Sequence, residues 1–589
     1  MSDAWLVPIA EAPAECGRKA DRLRLIAQAG QCVPPSWILP FESYRRVLAH
    51  NKLGDSRDLA GKPDLPPELI DAVTEVYDTV FRGSPVVVRS SALSEDNAFA
   101  SCAGQYESFL NRTSAQEVVA AVADCYASLN SRNARRYQDL HGVDASLEQM
   151  AVIIQAMVWP DRAGVLFTRD PVAATEVMIA ESVPGLGTPV VAGSGDPLRV
   201  QFHRDEESHD PGLEQLRSVG LRLEEAFGAP QDIEWGISDG QLYIFQSRDI
   251  TLKALTEPYA FDLPDPVTEK PFPAVAVSRG IAVGPVRRYP GEGSFHESVV
   301  LVEDQSVDGI VDAVWSGAGV LLTSGGVLSH LATVVREIGR PTLRIVDTAV
   351  VDGDVVVVDA VSGALCRLAD VPPTKAKQLI FEAARSARRP GYGIDEKVET
   401  VLFDEDSVNA ILARLRSIGT PAFKGVQNII PFDYLPREYC SYSVRAQVTG
   451  DTVRVQYKRA LKPVGNFRHD YEVHVRVETL AAAREHLGRV GLTEMTGQER
   501  ALEVHHFAGC TFSFMRWPTS RRCYVGIDGP DEAMVETAIK ELGHQLDGRF
   551  RVADGVQIFA ELGLSLDDCL FPDRAAVAAG EVRVDEGPW

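Results

Sequence analysis

The chain has 589 residues, 45% of them apolar and 24% charged; the composition is that of a globular protein, and the length implies about three or four domains rather than one core. Its 59 basic and 83 acidic residues give a net charge of −24, which argues against nucleic acid or an anionic membrane as a general partner but leaves room for a local basic pocket. Nine cysteines stand without a Cys-x-x-Cys pair and read as the reduced thiols of a cytoplasmic protein. The first residues lack a basic-then-apolar leader, and no apolar run reaches the ~18 residues of a membrane span.

Residues 1–253 alternate helical and strand patterns. Cys16-Gly17-Arg18-Lys19 opens an amphipathic helix, and residues 33–39 read as a turn into a strand. Residues 86–96 form a buried strand running into a polar loop that continues with small residues to about 109. Residues 151–158 and 164–171 supply further strands. Two runs, 231–236 and 241–248, flank Ser-Asp-Gly and read as a β-hairpin. Glu234 and Gln246 interrupt its apolar strands and fall opposite each other; a carboxylate and an amide oxygen suit Mg²⁺ bound together with nucleotide phosphates. Arg248, two residues on, shares the face of Gln246 and could reach a phosphate.

Taken together, Gly17-Arg18-Lys19-Ala20, Arg89-Ser90-Ser91-Ala92 with Glu95-Asp96, Ala103-Gly104-Gln105-Tyr106-Glu107, Gly185-Leu186-Gly187 and the closing hairpin resemble the ATP-grasp domain of phosphoenolpyruvate synthase, pyruvate phosphate dikinase and rifampin phosphotransferase. The resemblance implies ATP contacts from Lys19, Arg89, Gly104, Gln105, Gln155, Glu181 and Arg248, with Mg²⁺ held by Glu234 and Gln246.

Five prolines within residues 254–273 mark a linker between moving domains. A compact β/α unit over 274–370 follows. Within it an apolar strand (319–322) leads through Gly325-Gly326 into a helix from Ser329, where Leu331, Val334, Val335 and Ile338 form one apolar face and Gly339 and Pro341 stop the helix. His330 lies in the first turn, off that face. A helix N-terminus favours a phosphate and disfavours a protonated imidazole, and a neutral imidazole is a nucleophile. The Gly-Gly-x-x-Ser-His motif, the Arg336-Glu337 pair and Gly339-Arg340-Pro341 resemble the swivelling phosphohistidine domain of the same family, which places the phosphorylated histidine at His330.

Residues 371–393 read as a second linker containing a helix. The remaining 394–589 are too short for the ~250-residue barrel that binds phosphoenolpyruvate and pyruvate in that family. They read instead as strands at 441–447, 452–458, 469–477 and 522–528, with helices at about 406–417 and 531–543. The pattern resembles a CYTH, or triphosphate-tunnel, antiparallel barrel, carried by Lys397-Val398-Glu399, residues 453–458, Arg468 with Tyr471-Glu472, and residues 524–530. Glu399, Arg454, Lys458, Arg468 and Glu472 are the candidate acceptor-binding residues, suited to an anionic small molecule, with a barrel kept only for docking or dimerisation as the equal alternative. Lys397 and Val401 replace acids or bases of that family's pattern, so much of a tunnel metal site is expected to be missing. His505 and His506 point to opposite faces of one strand and cannot form a paired ligand site.

The sequence therefore predicts a multidomain α/β and α+β chain: ATP-grasp domain (1–253), linker (254–273), phosphohistidine domain (274–370), linker helix (371–393) and CYTH-like barrel (394–589). The function it implies is an ATP- and Mg²⁺-dependent dikinase-type phosphotransferase, passing phosphate through His330 to an unidentified acceptor with release of AMP and phosphate. Two alternatives stand beside it: an ATP-grasp ligase forming an acyl phosphate with a vestigial histidine domain, and a non-catalytic nucleotide sensor.

Overall fold

A computed structural model describes residues 4–562 apart from 14–15, 54–60, 94–107, 132–133, 136–147, 174, 195–196, 208–210, 251–271, 292–293, 306–308, 347–349, 388–391, 435–441, 461–465, 496, 518–519, 521, 553–557 and 559–560. The linker prolines before 272 lie outside the described residues.

The N-terminal domain holds two antiparallel five-stranded sheets. In the first, Met150–Ala156 is central between Ser36–Leu39 and Val86–Ala92. Its apolar run is unbroken because both faces are covered: Val152 and Ile154 enter one core, Ile153 another, so the alternation of a half-exposed strand is lost. The second sheet carries the expected hairpin, Gln231–Ser238 with Gln241–Asp249, turning at Asp239 and Gly240. Glu234 pairs directly with Gln246, and a bulge at Phe245 sets that register.

The central domain closes seven strands into a barrel, with Ile281–Tyr289, Val299–Val302, Gly319–Leu322 and Thr342–Ile345 joined in parallel. Val299 and Leu301 face inward while Val300 and Val302 pack outward, with Leu331 and Val335 of the histidine helix, in a second core.

The C-terminal domain is an eight-stranded closed antiparallel barrel. Its strand order runs Tyr442–Thr449, Thr452–Ala460, Arg468–Val477, Tyr392–Leu402, Tyr524–Gly529, Cys510–Arg516, Gln498–Phe507 and Phe423–Asp433, which returns to the first. The two helices anticipated from the sequence are Glu405–Ile418 and Glu532–Glu541. The expected barrel is thus present.

The second linker is not a free hinge. Its helix, Pro373–Ser386, buries Leu379, Ile380 and Phe381 in one continuous core with Ile281, Val283 and Val357 of the histidine domain and Val444, Val455, Tyr457 and Val475 of the barrel. Lys377, also buried, pairs with Asp433 at 2.9 Å. The sequence marks this helix only as part of a linker, whereas its apolar stripe is covered from two sides.

Candidate functional site

A cavity of about 350 Å³ opens where the N-terminal and histidine domains meet, within the range of small-molecule sites. Lys19, Arg89, Gln155, Glu234, Gln246, Arg248 and His330 all line it. Seven residues scattered over more than three hundred positions are therefore brought to one place.

Local structure explains each position. Lys19 sits in the first turn of Arg18–Gln28, whose N-cap is Gly17 at φ 76. A Cβ there would lie 2.1 Å from the Ser91 carbonyl oxygen, so only glycine lets the helix start this close to the neighbouring strand. The Ser91 hydroxyl donates to the Cys16 carbonyl and accepts from the Ala20 N–H, both at 3.0 Å. Arg89 projects from the central strand pair and donates to the Phe245 carbonyl at 2.9 Å and to Gln246 Oε1 at 2.6 Å, with Glu234 Oε2 at 3.5 Å. Gln155 is buried and donates to Ser36 Oγ at 3.0 Å. Arg248 pairs with Asp232 at 2.7 Å and donates across the domain boundary to Thr333 Oγ1 at 3.4 Å.

His330 is the first residue of the helix His330–Glu337, capped by the Ser329 hydroxyl, which accepts from the Ala332 N–H. The same hydroxyl donates to Gln305 Oε1 at 2.9 Å. Burial lowers the imidazole pKa to about 4, and the cations Arg248, Lys19 and Arg89 add to the shift while Glu234 opposes it. The ring is neutral at physiological pH, and the cations that add to the effect of burial line the same cavity. Arg336, further along the helix, is held by the Val327 carbonyl at 2.6 Å and Thr333 Oγ1 at 3.1 Å; burial lowers its pKa to about 10.

Two expectations turn out differently or fall outside view. Glu181 does not line the cavity: its carboxylate is buried and accepts the Val327 and Leu328 N–H groups, both at 3.1 Å. Gly104 and Gln105 lie outside the described residues.

No group of three or more His, Cys, Asp or Glu side chains fit to hold a metal occurs among the described residues. The cross-strand Glu234–Gln246 pair offers two oxygens into this cavity. This is the donor set of Mg²⁺, which takes one or two protein oxygens and completes its shell with phosphate and water. Arg89 bridges both side chains.

A second cavity, about 790 Å³, fills the C-terminal barrel. Glu399, Arg454, Lys458, Arg468 and Glu472 all line it, joined by Lys397, Arg445, Arg500 and Asp528. Lys458 bonds Asp470 at 2.6 Å and Glu472 at 3.1 Å; Lys397 bridges Glu472 and Asp528 at 3.1 and 3.2 Å; Arg468 pairs with Glu399 and Asp470. These partners hold Glu399 and Glu472 below the usual carboxylate range against the effect of burial, whereas burial raises Asp528 to about 6. Six cationic side chains face three carboxylates across the lining, so the interior favours an anion. The sequence reading missed Lys397, Arg445 and Arg500; inward alternation along their strands was the available signal. His505 is buried and His506 exposed, as expected for opposite faces.

Residues 55–210 and 205–260 match the model of the pyruvate phosphate dikinase AMP/ATP-binding domain, and residues 295–363 match the mobile domain of PEP-utilising enzymes. In these two domains the chain is similar to the phosphoenolpyruvate synthase, pyruvate phosphate dikinase and rifampicin phosphotransferase family. It is 27% identical to a probable phosphoenolpyruvate synthase of Methanothermobacter thermautotrophicus over 55% of this chain and 57% of that protein. It is 32% identical to the rifampicin phosphotransferase of a Streptomyces species over 41% of this chain and 30% of that protein. The chain thus spans at most about 57% of either relative. Among solved structures, an adenylyl cyclase candidate from Hippeastrum, described as having a dominant triphosphatase activity, aligns over 30% of this chain and 99% of its own at 11% identity and TM-score 0.23. No helix among the described residues is long and apolar enough to cross a membrane.

Proposed function

We propose that the protein is an ATP-dependent, dikinase-type phosphotransferase in which His330 carries the phosphoryl group. The observation that carries this reading is the placement of a neutral histidine in the cavity lined by Lys19, Arg89 and Arg248. Those cations bind and orient the triphosphate and neutralise charge on the transferring phosphorus, the largest contribution to this chemistry. The imidazole lone pair forms the N–P bond as a phosphoanhydride P–O bond breaks and its electrons pass to the departing oxygen. Water hydrolyses the second anhydride bond, so AMP and orthophosphate are released. An acceptor oxygen then takes the phosphoryl group, gives up its proton and frees the imidazole. Mg²⁺ held by Glu234 and Gln246 supplies further charge neutralisation when bound.

The cationic barrel interior suits a small anionic acceptor. The shared core favours a second reading of that interior: because the barrel is packed to the histidine domain through Leu379, Ile380 and Phe381, an anion bound there acts as a regulator of where His330 rests. Assays with ATP and an acceptor panel test the function. His330→Asn should abolish AMP formation while ATP still binds; retained turnover would instead support an acyl-phosphate ligase, and ATP binding without AMP from the native chain would support a sensor.

A further inference from the structure

The strand Val177–Pro184 places Glu181 at the boundary between the ATP-binding and histidine domains. It is paired on one side with Val165 and on the other with Arg199, and it is 2% exposed. Both carboxylate oxygens cross the boundary: Oε1 accepts from the Val327 N–H and Oε2 from the Leu328 N–H, each at 3.1 Å. Those two residues directly precede the Ser329 cap and His330. The Val327 peptide is gripped on its other side by Arg336, which donates to its carbonyl at 2.6 Å. The loop is shaped for this approach. A Cβ on Gly326 would lie 1.9 Å from Glu181 Oε2, and one on Gly325, at φ +81, would lie 2.7 Å from the Gly193 carbonyl oxygen. Gly326 is therefore the surface that receives a carboxylate from the other domain, and Gly325 allows the close approach of the Gly193 backbone, so the pair is not only a flexible turn.

We infer that Glu181 is a positioning residue: a latch whose carboxylate seats the 326–328 loop, and with it His330, at the ATP cavity, and which the loop must leave when the histidine domain moves away. A carboxylate bound by two N–H groups is a charge-assisted contact, and its loss leaves two backbone donors without partners in a buried place. Burial raises the Glu181 pKa while the Leu328 and Val327 N–H groups lower it, so the loop itself favours the charged form that binds it. The inference rests on the proposed role of His330 for its kinetic consequence, though not for the docking contact.

Glu181→Gln preserves shape but turns an amide N–H₂ toward one of the two loop donors. Phosphohistidine formation at saturating ATP is expected to slow about tenfold to a hundredfold. The dissociation constant for a non-hydrolysable ATP analogue, measured by calorimetry, should be unchanged because Glu181 does not line the cavity. Gly326→Ala, made on the opposite domain, should give a loss of the same order by placing a methyl group on Oε2. The pair Glu181→Ala with Gly326→Ala should be less impaired than the two single losses combined, since truncating the carboxylate makes room for the methyl. Small-angle X-ray scattering of the full chain should show a shift toward more extended particles in both single variants. Should either variant fail to fold, the other carries the test. Wild-type labelling rates and wild-type scattering in Glu181→Gln or Gly326→Ala would overturn the latch. A wild-type chain that takes no label on His330 would overturn the carrier reading instead, and scattering alone would then decide on the latch.

Discussion

Replacing Phe381 by alanine tests whether the barrel and the histidine domain are one body. Phe381 is 1% exposed, packs its ring 5.5 Å from that of Tyr442, and lies in the core that joins Ile281 and Val283 to Val444 and Tyr457. A fully buried Phe→Ala change costs about 3–5 kcal/mol, from lost transfer energy plus the cavity left behind. That is a large fraction of the roughly 5–15 kcal/mol available to a domain. Because the cavity opens between two domains, both should lose protection together. Hydrogen exchange followed by mass spectrometry reads them separately, through peptides covering Ile281–Tyr289 and Tyr442–Thr449. Faster exchange in both is expected, with peptides from Met150–Ala156 unchanged. Acceleration confined to one of the two would refute the shared body and restore the helix Pro373–Ser386 to the role of a hinge.

With its pKa near 4, His330 stays neutral well below pH 6, so its phosphorylation rate should be nearly constant from pH 8 to 5.5, where an ordinary imidazole would be about 90% protonated. The depressed value also means that the unfolded chain binds the extra proton between about pH 6.5 and 4, so the contribution of His330 to stability falls as pH falls through that window; His330→Ala should flatten that part of a urea-melt profile. Glu234→Ala should reduce ATP-dependent labelling about a hundredfold and raise the Mg²⁺ concentration needed for half-maximal rate, whereas an unchanged Mg²⁺ titration would place the cation elsewhere. Inorganic triphosphate, used as a probe at about a hundred times its dissociation constant, should raise the barrel's melting temperature by about 5–10 °C. Arg445→Ala combined with Arg454→Ala should lose that shift, and its persistence would show that the anion binds outside the barrel.

Elements with a strong local signal were legible from the residues. The hairpin was readable because Ser-Asp-Gly fixes its turn and puts Glu234 and Gln246 on adjacent strands, while the bulge at Phe245 that sets them opposite each other carries no such local signal. The histidine helix was readable because Ser329 caps it and Leu331, Val334, Val335 and Ile338 share a face. What escaped depends on contacts between domains. The resemblance implied Glu181 as a nucleotide ligand, yet its carboxylate is taken by backbone N–H groups that belong to a loop nearly 150 positions away. The helix after residue 372 looked like a spacer because its polar residues hide a narrow apolar stripe that only tertiary packing covers. In the barrel, the resemblance pointed to Glu399, Arg454, Lys458, Arg468 and Glu472, but it did not show that Lys397 would stand between Glu472 and Asp528.

The most direct measurement is incubation of the full chain with ATP labelled separately at the β and γ phosphates. The account predicts acid-labile, base-stable label on the protein that is absent from His330→Ala while that variant still binds ATP. Label that persists in His330→Ala, or no protein-bound label in the native chain, would contradict it.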